Sequence, residues 1–109
     1  MESQQTQLVR IINQVFEIEK KMQKNDQLQP VQKNIARIQQ AFEDMNLRIH
    51  NPIGERYHEQ RTDCEASIAG NAGKDLFITD VLKPQIFLVK DNVPTLIQKA
   101  VVIADNKQN

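Results

Sequence analysis

The residues best suited to chemistry lie in one short polar stretch. His58, Asp63 and Cys64 supply the imidazole, carboxylate and thiol of a nucleophilic site. In such a site the thiol, its base and an orienting acid converge in space, beside a loop that stabilises an oxyanion. Here the three residues fall within seven positions, and no oxyanion loop accompanies them. We therefore favour a structural interpretation, with Cys64 as a small residue at the start of a strand and His58 at the surface. No catalytic residue is predicted, and an enzyme is not the expected class.

Two further patterns invite a ligand and fail on spacing. A zinc site built from His50, His58 and Cys64 would lack the paired ligand spacing of such sites. Residues 70–75 resemble a phosphate-binding loop, but the glycines are too close together and Asp75 stands where Ser or Thr should bind magnesium. A plain hairpin loop is the better interpretation. We therefore predict no metal and no cofactor.

The most regular pattern in the chain is a seam of large apolar residues in residues 28–45. They recur at alternating spacings of three and four, which is typical of a helix that packs against another helix. A seam this narrow favours a helical partner over a broad globular core. Its members are Leu28, Val31, Ile35, Ile38, Phe42 and Met45.

A second seam occupies residues 6–24, where Thr6 or Ser3 could cap the start of a helix. Ile12 and Phe16 widen the apolar face, which indicates contact with more than one neighbouring helix. Each half of the chain has only about 50 residues, a size at which a core is marginal, so self-association is expected to complete it. We therefore predict that both seams form a homodimer interface. The first seam consists of Leu8, Ile11, Val15, Ile18 and Met22.

The two helices are interrupted at residues 25–30. Pro30 lacks an amide and restricts the residue before it, so a helix is expected to end before it and a new one to begin with it. Either the chain reverses into a helical hairpin or one long helix kinks here. The second helix should stop near Asn46, which tolerates a left-handed cap, before a turn at residues 51–54.

After residue 54 the pattern changes to short extended runs separated by turns. Helices followed by strands, segregated along the chain, indicate an α+β fold. We predict a helical dimerisation region at residues 1–50, as a coiled coil or helix bundle, and a small β head at 51–109. The expected strands are 65–69, 76–82, 85–90 and 97–104, with turns at 70–74, 83–84 and 91–95.

Composition excludes several classes of partner. The 109 residues carry 14 Lys plus Arg and 14 Asp plus Glu, so no global charge attracts nucleic acid or an anionic membrane. The apolar runs are far shorter than the roughly 20 residues that span a bilayer. The first five residues lack a signal-peptide pattern, and the single cysteine excludes an internal disulfide. We expect a soluble, cytoplasmic protein that binds neither nucleic acid nor membranes.

Residues 31–104 resemble the C-terminal two-thirds of the GrpE family, the nucleotide exchange factors of DnaK-type chaperones. The resemblance lies in the order of features: a helix, a turn, an aromatic residue, Glu-Ala and two late strands. The segments that carry it are 31–45, Asn46 to Ile49, Pro52-Ile53-Gly54, Tyr57, Glu65-Ala66, 78–86 and 97–103. Departures from the family pattern are Asn46 for Gly, Cys64 for His, Pro84-Gln85 for Gly-Tyr, Gln98-Lys99 for Arg-Pro, and a shorter first helix.

The resemblance implies a dimer whose β head binds the ATPase domain of a DnaK-type chaperone and promotes nucleotide release. On this basis the expected contact lies on the head strands and their turns. The residues chosen are Lys83, Pro84, Ile86, Thr95 and Lys99. Composition and periodicity are equally compatible with a homo-oligomeric adaptor that docks an unrelated protein through its β head.

Overall fold

The computed structural model describes residues 4–106, which form two helices followed by two β-sheets. The α+β class predicted from the sequence is confirmed. The helices are α1 (Gln4–Lys24) and α2 (Gln32–Asp44), joined through a short 3₁₀ turn (Gln29–Val31). The strands are β1 (Leu47–His50), β2 (Arg56–Tyr57), β3 (Cys64–Ile68), β4 (Leu76–Lys83), β5 (Gln85–Lys90), β6 (Val93–Gln98) and β7 (Ala100–Asp105).

The helices form an antiparallel hairpin, which resolves the choice left open by the sequence. Gln39 on α2 donates a hydrogen bond to Glu19 on α1 (3.4 Å), while Phe42 shares a core cluster with Ile12. A later residue of α2 (Phe42 after Gln39) therefore contacts an earlier residue of α1 (Ile12 before Glu19), as in an antiparallel pair. The reversal uses Asp26 at a positive φ of 60°, and Pro30 lies in the 3₁₀ turn as the chain enters α2.

The helix ends differ in part from expectation. Because α1 already includes Gln4, Thr6 lies inside the helix and is not its cap. The alternative cap, Ser3, lies outside the described residues. Asn46 has a φ of 66°, so the left-handed residue predicted at the end of α2 is confirmed.

The centre of the β region is one long, bent hairpin. Strand β5 pairs with β6 and β4 pairs with β7 in an antiparallel register that continues across the bend, from Lys90–Val93 to Phe77–Asp105. At its tip, Asp91 and Asn92 both have positive φ, the geometry of a two-residue turn whose twist suits a hairpin. The turn predicted at 91–95 is therefore only two residues long.

The long hairpin crosses from one sheet to the other at Pro84 and Lys99. Proline cannot donate a ladder hydrogen bond, which explains why the ladder breaks there. The predicted final strand 97–104 is accordingly divided between β6 and β7. One sheet has the order β1-β5-β6, and the other has the order β2-β4-β7-β3, in which β3 runs parallel to β7 and the other pairs are antiparallel.

Two apolar clusters join the helices to the sheets. Phe16 on α1 packs with the second sheet, in a cluster that includes Ile78, Val81 and Val102. Ile12 and Phe42 pack with the first sheet, against Leu47 and Ile86. Helices and head therefore share their cores, and β1 begins a few residues before the predicted boundary at 50. Within residues 4–106 neither helix has the length and apolarity needed to cross a membrane.

Candidate partner-binding surfaces

The residues singled out for nucleophilic chemistry are not assembled into a reactive site. Cys64 is buried, with the Gln85 amide 3.9 Å from its Sγ, and burial raises the pKa of its thiol, which favours the unreactive protonated form. His58 is exposed, and its Nδ1 lies 3.2 Å from the side-chain oxygen of Gln60. Among residues 4–106, no group of three or more His, Cys, Asp or Glu side chains is placed to hold a metal ion.

Asp63 belongs to a structural polar cluster. Arg61 donates two hydrogen bonds to its carboxylate, from Nε (3.0 Å) and Nη2 (2.9 Å), and Nη2 also lies 3.1 Å from Glu55. The amide of buried Gln85 donates to Asp63 Oδ2 (2.6 Å) and to its backbone oxygen (3.2 Å).

The hydrogen bonds from Arg61, and secondarily that from Gln85, lower the pKa of Asp63 from 3.8 to about 2, against an opposing effect of partial burial. The same pairing raises the pKa of Arg61. This cluster fastens the connector between β2 and β3 to strand β5.

The glycine-containing loop at 70–75 uses its polar groups internally. The side chain of Asn71 accepts a hydrogen bond from the Gly73 amide (2.9 Å), and the Asn106 amide donates to the backbone oxygens of Asn71 (2.8 Å) and Asp75 (3.0 Å). A Cβ at Gly70 would meet the side-chain oxygens of Asn106 and Asp105, so a larger residue there would displace the Asn106 side chain from this position. The loop is held to the end of β7. It joins β3 to β4, and β7 lies between these two strands in the sheet, so the hairpin-loop interpretation is wrong: the loop is a crossover past the end of β7.

The helical hairpin leaves four large apolar residues exposed, here called the helical apolar set. They are Ile11 (50% exposed), Ile18 (49%), Ile38 (40%) and Met45 (42%). On each helix the two members are seven residues apart, so they lie on one side of that helix. On α1, Ile11 precedes Asn13 by two positions, and Ile18 precedes Lys20 by two positions. Asn13 and Lys20 both form hydrogen bonds to the sheets, and residues two positions apart lie roughly 160° apart around a helix. The α1 members therefore face away from the head.

The remaining seam residues divide between the chain's own core and the margin of that core. Ile35 and Phe42 are buried within the single chain. Ile12 and Phe16, which the sequence suggested only as widening the face, are the buried residues of α1. The other predicted interface residues are half-buried: Leu8, Val15, Met22, Leu28 and Val31.

The residues predicted to contact a partner on the head are partly accessible. Pro84 and Ile86 are buried, so their side chains are not available at the surface. Lys83, Thr95 and Lys99 are exposed. Lys83 and Lys99 lie where the long hairpin changes sheets.

Leu82, which the sequence did not suggest, is exposed beside Lys83 (51%). We define the head corner as Leu82, Lys83 and Lys99. In a regular strand only one of two adjacent side chains points outward. Leu82 and Lys83 are both exposed because a bulge lies between Val81 and Lys83, and no local sequence signal marks that bulge.

Two polar anchors fix the head to α1. The ammonium of Lys20 lies 3.0 Å from the Asp80 carboxylate and donates to the backbone oxygen of Val81 (2.6 Å). The side-chain amides of Asn13 and Gln98 exchange two hydrogen bonds of 2.9 Å, and Gln98 also donates to the backbone oxygen of Pro84 (2.9 Å). The contacts from Asn13 and Lys20 join residues about 60 to 85 positions apart, which is why sequence patterns did not indicate them.

Comparison with known proteins identified no relative of this chain. No protein-family model matches the chain, and neither a curated protein nor a solved structure matches it.

Proposed function

We propose that the chain is a GrpE-like nucleotide exchange factor, a cytoplasmic co-chaperone that acts as a homodimer. Its β head binds the ATPase domain of a DnaK-type chaperone and promotes release of the bound nucleotide. The observation that carries the proposal is a helical hairpin that keeps an apolar surface exposed while its other side is fastened to a β head. The resemblance between residues 31–104 and the exchange factors implies a dimer with a β head, and α1, which lies outside those residues, supplies the other half of the hairpin.

The homodimer uses the helical apolar set. Four large apolar side chains on two adjacent helices lose their remaining contact with water when a second copy covers them. Because each is already at least half-buried, it contributes at most about half of the roughly 1.5–3 kcal/mol gained by burying a fully exposed side chain. The half-buried seam residues at the margin complete the interface. Ile35 and Phe42 support it from within the chain, because they are already packed in its core.

The exchange activity requires no bond chemistry. A factor that binds the open form of a nucleotide cleft more tightly than the closed form shifts the population toward the open form. A tenfold shift requires about 1.4 kcal/mol of differential binding. The anchors at Lys20 and Asn13 hold the head in one orientation, so little ordering cost is incurred when it docks.

The proposal is tested by measuring the release of a fluorescent nucleotide from the DnaK-type chaperones of the host, with and without the protein. Accelerated release is the expected result. Unchanged release from all of them, with the added protein folded and dimeric, would exclude the exchange function. A homo-oligomeric adaptor that docks an unrelated protein through its head would then be the remaining function, and affinity capture would identify that protein.

A further inference from the structure

The head corner combines an exposed leucine with two exposed lysines. Leu82 is 51% exposed, although it lies in the central hairpin of the head between buried Val81 and buried Pro84. Among residues 4–106, neither the Lys83 nor the Lys99 ammonium has an ion-pair or hydrogen-bond partner.

The backbone of β4 places Leu82 and Lys83 at the surface together. Val81 pairs with Val102 and Lys83 pairs with Val101, so two residues of β4 advance while β7 advances by one. Such a bulge interrupts the ladder and redirects side chains, and bulges are frequent next to binding sites. Without it, strict alternation after Val81 would direct Leu82 outward and Lys83 inward.

Pro84 and Gln98 keep this geometry in place. Pro84 is buried directly after Lys83, and its backbone oxygen accepts the hydrogen bond from Gln98, which precedes Lys99. Gln98 is in turn paired with Asn13 on α1. The backbone at the corner is therefore held in place, so little backbone entropy is lost when the corner binds.

We infer that Leu82 is the apolar anchor of the head, inserting into a leucine-sized pocket that is bordered by carboxylates on the ATPase domain of the partner. The two lysines provide the charge complementarity, because unpaired cations that flank an apolar anchor favour an acidic rim. Glu65 lies across β7 from Lys83 in the strand register, and Asp63 lies beside Ala100, next to Lys99 in the chain. The Asp63 carboxylate is paired with Arg61, so the two lysines and Glu65 leave the corner net positive.

The assignment of this surface rests on the proposed exchange function, and it changes the contact predicted from the sequence. Pro84 and Ile86 become supporting residues, because they are buried, and Leu82 becomes the central contact. Truncation of a central apolar anchor commonly costs at least tenfold in affinity, whereas truncation of a peripheral apolar residue costs little.

The test compares Leu82→Ala with Val93→Ala in the full chain. Val93 is also a large exposed aliphatic residue (60%), but it begins β6 beside the far tip of the long hairpin. Chaperone binding and acceleration of nucleotide release are measured for both. We expect Leu82→Ala to weaken binding and acceleration by about tenfold or more, and Val93→Ala to match the wild type.

The lysines are tested in parallel by Lys83→Glu and Lys99→Glu, with Lys90→Glu as the control at the tip of the hairpin. We expect weaker binding and a smaller dependence of affinity on salt for the first two variants, because an acidic rim attracts the wild-type corner. Circular dichroism and the melting temperature establish that each variant is folded.

The outcomes separate the contact from the function. If the wild type accelerates release and Leu82→Ala does so equally well, the anchor is wrong while the exchange function stands. If the wild type neither binds nor accelerates any DnaK-type chaperone, both fall. If Leu82→Ala halves the mass of the particle in solution, the corner belongs to a contact between copies of this chain, and the partner contact is excluded.

Discussion

At the residue scale, the hydrogen bonds from Arg61 and Gln85 give Asp63 a structural role. Its carboxylate lies beside a thiol in sequence, but in space it is bound by Arg61 and by the amide of buried Gln85. A charged group held by several donors is favoured in its ionised form. The carboxylate therefore stabilises the head only while it is ionised.

We predict a pH dependence of stability that originates at Asp63. Its pKa is lowered from 3.8 to about 2 in the folded chain, mainly by Arg61, so its contribution is fully present above pH 4 and is lost as the pH falls toward 2. The side chain is 37% exposed, and solvent screening limits the contribution to on the order of 1 kcal/mol. The measurement is urea unfolding of the wild type and Asp63→Asn between pH 5 and pH 2. Their difference in unfolding free energy should shrink over this interval, and a constant difference would contradict the assignment.

At the element scale, Asn46 sets the point at which helix gives way to strand. Its φ of 66° lies in the left-handed region, which reverses the chain out of α2, and its backbone oxygen accepts a hydrogen bond from Val89 on β5 (2.8 Å). In this conformation, a residue that has a Cβ but no side-chain amide is destabilised by about 1–2 kcal/mol, whereas glycine has no such steric penalty.

We therefore predict that two substitutions at this position differ in their effect on stability. Asn46→Ala should lower the unfolding free energy by about 1 kcal/mol, and Asn46→Gly should leave it within a few tenths of the wild-type value. Chemical denaturation of the two variants checks this. Equal destabilisation by both would show that the asparagine side chain, and not the backbone conformation, is what the junction needs.

The helical hairpin supplies a second prediction at this scale. Ile38→Asp adds a carboxylate to the helical apolar set, where a second copy would bury it unpaired at a cost of several kcal/mol. Because Ile38 is 40% exposed in the single chain, the monomer should tolerate the same substitution. We expect the variant to be folded by circular dichroism but monomeric by analytical ultracentrifugation.

The matched control is Ala36→Asp, which adds the same charge to an exposed position on the other side of α2. It should preserve the dimer. If Ile38→Asp keeps the wild-type mass and melting point, the helical apolar set is not an interface.

At the scale of the whole molecule, two small sheets and two helices depend on one another. Phe16 packs with one sheet while Ile12 and Phe42 pack with the other, so each apolar cluster contains residues of both the helices and the head. Burial of the helical apolar set by a second copy would add an interface on the side of α1 that faces away from this core.

A dimer assembled in this way predicts that the melting temperature depends on concentration. Association favours the folded state by mass action, and a tenfold increase in concentration contributes about 1.4 kcal/mol per dimer. For two chains of this length, the melting temperature should rise by about 3 °C. Calorimetry over a hundredfold range of concentration checks this, with Ile38→Asp as the variant whose melting temperature should not move. A wild-type melting temperature that is independent of concentration would contradict the dimer.

The sequence by itself determined those features that depend on neighbouring residues. The apolar spacing predicted both helices, Pro30 marked the break between them, and Asn46 marked the end of the second. Four runs of extended residues were identified, but β1 and β2 were missed because strands of four and two residues hardly establish an alternating pattern. The last strand was predicted as one because nothing local to Lys99 signals that it crosses between sheets.

Only the tertiary structure decided which apolar residues face inward and which surface of the head is open. Ile11 and Ile12 are adjacent and equally apolar, yet one is 50% exposed and the other 1%, because the sheets cover only one side of α1. The anchors Asn13–Gln98 and Lys20–Asp80, and the bulge that brings Lys83 to the surface beside Leu82, arise from pairings between segments far apart in the chain. A periodic pattern shows which residues share a face of one element. Which of those faces is buried depends on the free energy of packing that element against the others.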